Sequence, residues 1–291
     1  MSVAYKRASH GPVAGRLDGK VVAISGTGGG QGRAAALLFA RAGAIVVGCD
    51  RNADAIAETR QLAKREGVEL QLSVVPDLTD PGAATQWIED AVNRNGRLDV
   101  LYNNAASVHF APIESLTPEL WTQTLRGELD IVFMPTRAAW RHLAREGGSI
   151  INSASLSGMR ALENIGATAH AASKGGVIAM TRQLALEGAP FGIRANSISP
   201  GPIATPATQQ ALDTDPEFKR HFEGWPLLAR GGEADDVAYT ALFLAPQTNP
   251  HGLPVSTLPW TVACHVRPES PSTHEKLKLD CPCLPWAVRL R

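Results

Sequence analysis

The chain is poor in cysteine, has no net charge and contains no long apolar run. Four cysteines, Cys49, Cys264, Cys281 and Cys283, in 291 residues are too few for a disulfide framework. Cys281 and Cys283 lie near His265 and His274, but this spacing fits no usual zinc pattern, so no metal site is expected. Lys plus Arg and Asp plus Glu each number 28. A neutral chain has no global field to draw it onto nucleic acid or an anionic membrane, so neither partner is expected. No apolar stretch approaches the roughly 20 residues that span a bilayer. Residues 1–18 are polar, contain glycine and lack an apolar signal core; they read as a mobile leader on a cytoplasmic protein. No internal repeat is present.

Hydrophobic residues make up 44% of the chain, an ordinary globular share at a length that buries a sizeable core. From Lys20 short β-branched runs alternate with helix-forming stretches. Strands are expected at 21–25, 44–49, 69–75, 98–102, 148–153 and 193–199, and helices at 33–42, 53–66, 81–95, 166–189 and 234–245. Thr117 as N-cap and Pro118 as first helical residue open a further long helix to about Arg145, bent at Pro135. This alternation predicts an α/β fold: a Rossmann-type, doubly wound parallel sheet with helices on both faces, in one domain over 19–245. Residues 246–291 form a divergent, proline-rich tail without sustained periodicity. Prolines at 246, 250, 254 and 259 remove ladder donors, so the tail is not expected to add a regular strand to the sheet.

The run Ser25-Gly26-Thr27-Gly28-Gly29-Gly30-Gln31-Gly32 ends a strand and opens a helix. Glycine there lets the backbone turn tightly against a pyrophosphate, and the helix N-terminus supplies free N–H groups. Asp50 closes the second strand, where a carboxylate accepts from the ribose hydroxyls and repels a 2′-phosphate. It could also cap the helix that follows Asn52. Arg51 could bind a 2′-phosphate instead. The balance favours NAD over NADP.

With these motifs in place, residues 19–245 resemble the short-chain dehydrogenase/reductase family. Gly26, Gly30 and Gly32 fall at that family's glycine positions. Asp77-Leu78 resembles its adenine-contacting pair, and Asn103-Asn104-Ala105-Ala106 its Asn-Asn-Ala-Gly stretch beside the cofactor. The segment 151–155 resembles the strand that delivers its serine, and Pro200-Gly201-Pro202-Ile203-Ala204-Thr205 the loop that grips the nicotinamide amide. The resemblance implies cofactor contacts at Ser25, Gly26, Gly30, Gln31, Gly32, Asp50, Arg51, Asp77, Leu78, Asn104, Ala105, Lys174, Pro200, Gly201, Ile203 and Thr205.

The family's active site uses Asn, Ser, Tyr and Lys. Ser155 and Lys174 hold the Ser and Lys positions here, with Ser157 a second candidate for the serine. The Tyr position is His170, and the position that usually carries Asn is Glu128. His170 precedes Lys174 by four residues, so both share one helix face. An imidazole transfers protons near neutral pH with little tuning; Glu128 could orient it or pair with Lys174.

Three functions follow. The first is an NAD(H)-dependent oxidoreductase acting on a small-molecule secondary alcohol or ketone, with His170 as acid/base. The second is a binding module that holds the cofactor over a disabled site, with His170 merely packed. The third is a hydrolase with Ser155, His170 and Glu128 as nucleophile, base and orienter. Substrate choice is expected to lie in residues 107–114 and 205–228, where Phe218, Phe222, Trp225 and Pro226 suit a lid and equally suit simple packing. The resemblance ends after the helix at 234–245. It implies a lost edge strand and a weakened subunit interface if the chain is a homo-oligomer.

Overall fold

The computed structural model describes residues 13–162, 165–224 and 231–245. A six-stranded parallel sheet runs in the order β3-β2-β1-β4-β5-β6, with β1 Val21–Ser25, β2 Ile45–Asp50, β3 Leu70–Val74, β4 Val100–Asn103, β5 Gly148–Ser153 and β6 Ile193–Ile198. Helices α1 Gly30–Arg41, α2 Ala53–Arg65, α3 Pro81–Asn95, α4 Pro118–Leu125, α5 Ile131–Glu146 and α6 Thr168–Gly188 make the connections. Beyond β6, a two-residue ladder of β7 Ile203–Ala204 and β8 Gly232–Glu233 is linked by α7 Pro206–Thr214 and α8 Pro216–Gly224, and α9 Ala234–Leu244 follows.

The sheet is apolar on both faces along its central strands β1 and β4, whereas the edge strand β3 is only partly covered. In β1, Val22 and Ile24 join Phe39 of α1 and Leu242 of α9 in one core. Val21 and Ala23 point the other way, into a core with Trp87 of α3 and Leu143 of α5. The period of two along a strand thus feeds both layers. The strand order reverses between β1 and β4, which opens a crevice at the C-terminal strand ends.

Several expectations need correction. Residues 13–18 are not a mobile leader: Leu17 is 1% exposed in the α1/α9 core. Its N–H donates to the carbonyl of Ala42 at 2.9 Å, so burial of one leucine anchors a polar stretch. The expected long helix from Thr117 is interrupted before Pro135. Residues Arg126–Asp130 form a π-helical turn between α4 and α5, and Pro135 lies within α5. Residues 1–12 and the tail 246–291, with Cys264, Cys281 and Cys283, lie outside the described residues, as do Trp225 and Pro226. Among the described residues no helix is long and apolar enough to cross a membrane.

Asp99 ties the sheet's N-terminal edge together. It accepts from the N–H of Val21 at 2.9 Å, Lys20 Nζ at 3.0 Å, and Arg97 Nε at 2.8 Å and Nη2 at 2.6 Å. Burial raises its pKa, but these donors outweigh burial and leave it below the usual carboxylate value. A depressed carboxylate stabilises the fold above its unfolded pKa and loses that contribution as the pH falls through its folded value. Asp99→Asn is therefore expected to cost about 1–3 kcal/mol at pH 7 in urea unfolding. The difference from wild type should shrink below about pH 4. A deficit that stays constant through that range would show that the ionised form contributes nothing.

Candidate active site

The crevice holds one elongated cavity of about 1100 Å³. One end is built by the β1–α1 turn. Gly26 and Gly30 adopt left-handed φ values of 76° and 50°, and Gly29, the N-cap of α1, provides no side-chain cap. The first-turn N–H groups of α1 therefore remain available to an anion. A Cβ on Gly32 would stand 2.1 Å from the Gly26 carbonyl, so only glycine lets the helix start this close to the turn. Asn104 Nδ2 donates to the carbonyl of Ser25 at 3.1 Å, and Ser25 Oγ accepts from the N–H groups of Asn104 and Ala105 at 3.0 Å each. Ser25 and Gly32 thus stand behind the cavity wall and shape it, whereas Gly26, Gly30, Gln31, Asn104 and Ala105 line it.

Asp50 lines the same end and receives the N–H of Gly28 at 2.9 Å and of Asn52 at 3.0 Å. The helix cap for α2 is Asn52, whose side chain accepts from the N–H of Ala55, so Asp50 is not spent on capping. Arg51 lines the cavity and is exposed. Asp77 and Leu78 form the neighbouring wall, where Arg126 Nη2 lies 3.8 Å from Asp77. Pro200, Gly201, Ile203 and Thr205 close the far side.

At the other end the expected side chains converge. Glu128 sits in the π-helical turn and is 1% exposed. Its neighbour Gly127 permits this approach: a Cβ there would be 2.3 Å from the Ser107 carbonyl, and Ser107 donates its N–H to Gly127 at 2.9 Å. Both carboxylate oxygens of Glu128 lie 2.8 Å from His170 Nδ1, and Oε1 lies 3.6 Å from Lys174 Nζ. Lys174 also donates to the Ser153 carbonyl at 3.0 Å. Burial pushes the Lys174 ammonium below the usual lysine range, and Glu128 opposes that shift.

Ser155, His170 and Lys174 all line the cavity. Ser157 is 4% exposed and stands behind Ser155, so the serine that faces the cavity is Ser155. Ser155 Oγ accepts from Ser157 Oγ at 2.8 Å; among the described residues no hydrogen bond joins Ser155 to His170. The hydroxyl is thus not aligned as a nucleophile with His170 as its base, which removes the geometric support for a hydrolase.

The cavity also has an apolar wall that includes Phe110, Leu162, Ile165, Phe218 and Phe222. Phe110 was inside the expected segment 107–114 but carried no signal of its own. Its ring packs edge-on against His170 with centroids 5.3 Å apart. The N–H of Ala111 donates to the Gly166 carbonyl at 2.8 Å, which fixes this segment beside the start of α6. The rings of Phe218 and Phe222 lie tilted at 36° to each other with centroids 6.1 Å apart.

A phosphate cradle at the switch point of a Rossmann-type sheet, continuous with a Ser/His/Lys/Glu cluster whose Lys and Glu are buried, defines a dinucleotide-binding protein with groups for proton transfer. Comparison with known proteins agrees. A sequence model of the family described as Enoyl-(Acyl carrier protein) reductase matches residues 26–250. Cyclopentanol dehydrogenase of Comamonas testosteroni is 35% identical over 235 residues, 79% of this chain and 91% of that protein. L-rhamnose-1-dehydrogenase of Scheffersomyces stipitis is 34% identical over 239 residues, 79% and 90% respectively. The solved structure of a short chain dehydrogenase from Mycobacterium smegmatis aligns with a TM-score of 0.70 at 33% identity, over 84% of this chain and 92% of that one. The chain belongs to the short-chain dehydrogenase/reductase family, oxidoreductases that act on CH–OH or carbonyl groups with a nicotinamide cofactor.

The cradle geometry makes a direct prediction. Gly32→Ala should abolish measurable NADH binding in a fluorescence titration, because its methyl group must displace the Gly26 peptide. Wild-type affinity in this variant would show that the turn and α1 separate without loss of function.

Proposed function

We propose that this protein interconverts a secondary alcohol and a ketone by hydride transfer with NAD(H), and that His170, held by Glu128, moves the proton. One observation carries the reading. His170 Nδ1 is bound by the buried carboxylate of Glu128 at 2.8 Å, which leaves the other ring nitrogen, Nε2, without a partner among the described residues on the wall of the cavity. This chain thus replaces the family's Tyr and Asn by two groups that touch each other.

When bound, the nicotinamide takes up or gives up the hydride. The protein's own groups do the rest. Glu128 accepts a hydrogen bond from the Nδ1–H of His170 and so selects the tautomer with its lone pair on Nε2. In alcohol oxidation Nε2 accepts the hydroxyl proton, and the Glu128 carboxylate offsets the imidazolium charge that results. In ketone reduction the imidazolium returns that proton to the developing alkoxide. Lys174 has donors left over from Ser153, which supports its family role on the cofactor ribose. The Ser155 hydroxyl lines the same end.

The residues present fit the dinucleotide. The free N–H groups of the first turn of α1 would hold its pyrophosphate, and the Asp50 carboxylate would accept from the adenosine ribose hydroxyls. A carboxylate repels a 2′-phosphate, which favours NAD(H) over NADP(H). The apolar walls at Phe110, Leu162, Ile165, Phe218 and Phe222 support an uncharged substrate of medium size.

His170→Ala should lower kcat by about 10²-fold or more, the usual worth of a general acid/base, while NADH affinity stays nearly unchanged. Full activity in that variant sinks the role. Titrating the wild type with both cofactors should give tighter binding of NADH than of NADPH; the reverse order would mean that Arg51 dominates Asp50. A wild type that binds NADH yet turns over no alcohol or ketone in a broad panel would be a binding module instead.

A further inference from the structure

We propose that Ser157 is a positioning residue that turns Ser155 into an obligatory hydrogen-bond donor toward the substrate oxygen. The inference rests on the reading above that an alcohol or carbonyl oxygen enters the cavity beside His170. A serine hydroxyl has one proton and two lone pairs. Ser155 Oγ accepts the Ser157 N–H at 3.2 Å and the Ser157 hydroxyl proton at 2.8 Å. Both lone pairs are therefore engaged by one residue. What remains is the Ser155 proton, and no acceptor for it exists among the described residues. Since Ser155 lines the cavity and Ser157 does not, that proton is free for a ligand oxygen in the cavity.

The local fold makes this arrangement stiff. Leu156–Gly158 form a single 3-10 turn with Ser155 as its N-cap. The N–H of Leu156 donates to the Pro200 carbonyl at 3.0 Å, and the N–H of Gly158 to the Ser155 carbonyl at 3.1 Å. Gly158 lies so close to α6 that a Cβ there would be 2.7 Å from Gly175 N. Ser157 is thus buried at a fixed position two residues beyond the group it orients. Without its hydroxyl, one lone pair of Ser155 is released. The serine proton can then rotate away, and the hydroxyl can accept from an alcohol instead of donating to it.

The test is a double-mutant cycle with kcat and KM measured separately. Ser155→Ala should lower kcat by about 10²-fold, as loss of a donor to a developing oxyanion does. Ser157→Ala should lower it by a smaller factor, about tenfold, with NADH affinity unchanged. The double variant should match Ser155→Ala within about twofold, because Ser157 acts only through Ser155. Ser157→Thr, which keeps the hydroxyl, should recover most of the loss. Multiplicative losses in the double variant, or a threonine variant as poor as alanine, would overturn the proposal. If Ser157→Ala does not fold, Ser157→Cys carries the same comparison with a weaker donor.

A second arm needs no turnover. Isobutyramide offers a carbonyl oxygen that hydride does not reduce, and its binding to the NADH-loaded protein can be followed by NADH fluorescence. Its affinity should fall by similar factors in Ser155→Ala and Ser157→Ala and no further in the pair. Such a result from a wild type without turnover would sink the acid/base reading and leave the serine pair standing. An amide affinity indifferent to both serines would overturn the donor role even in an active enzyme.

Discussion

A carboxylate taken out of water must be compensated, and the site is organised around that requirement at Glu128. Burying an unpaired carboxylate costs several kcal/mol. Here it faces the ammonium of Lys174 and a ring N–H of His170 within one small volume. Lys174 has the mirror problem, since its buried charge needs Glu128 and the Ser153 carbonyl. The three side chains come from two helices, and each makes the burial of the others tolerable. The π-helical turn belongs to the same solution, since it carries the carboxylate across to α6. Such turns concentrate where a helix serves a site rather than its own stability.

The sheet supplies the remaining order. Parallel strands deliver every loop from their C-terminal ends to one side, so residues as far apart as Gly26 and Thr205 line one cavity. The loops that touch the dinucleotide end are short and tied to the core. Those at the other end, around Phe110 and the α7–α8 pair, are longer and carry the apolar side chains. Relatives of this chain are named for substrates as unlike cyclopentanol and L-rhamnose, and one fold can carry many specificities because function lives in the site built on it.

Legibility in the sequence followed the range of each interaction. Strand β1, the glycine run and α1 are local patterns, and each could be read from a few adjacent residues. The shared face of His170 and Lys174 follows from helical spacing alone. Glu128 could be named only through the family pattern, because its contact with His170 bridges 42 positions. The π-helical turn left no local mark, and Pro135, the visible irregularity, pointed to the wrong place in the helix. Leu17 was misread because scattered apolar residues in a polar stretch make no periodic signal, yet it belongs to one core with Phe39 and Leu242. Ser157 stood out as a rival to Ser155; its distances make it a partner.

The two peptides that meet at Gly28, one on each side of its Cα, are each gripped by a charged side chain. The N–H of Gly28 is held by Asp50, and its carbonyl by the guanidinium of Arg33, which is itself fixed by Glu58 and Thr59. This turn cannot flip its peptide planes as a glycine-rich loop in solution would. The entropy lost in ordering it is charged to folding rather than to binding. A dinucleotide arriving at this surface meets a template already set. Selectivity between cofactors is then decided by what an incoming group must displace, since the loop has little freedom left to adapt around it.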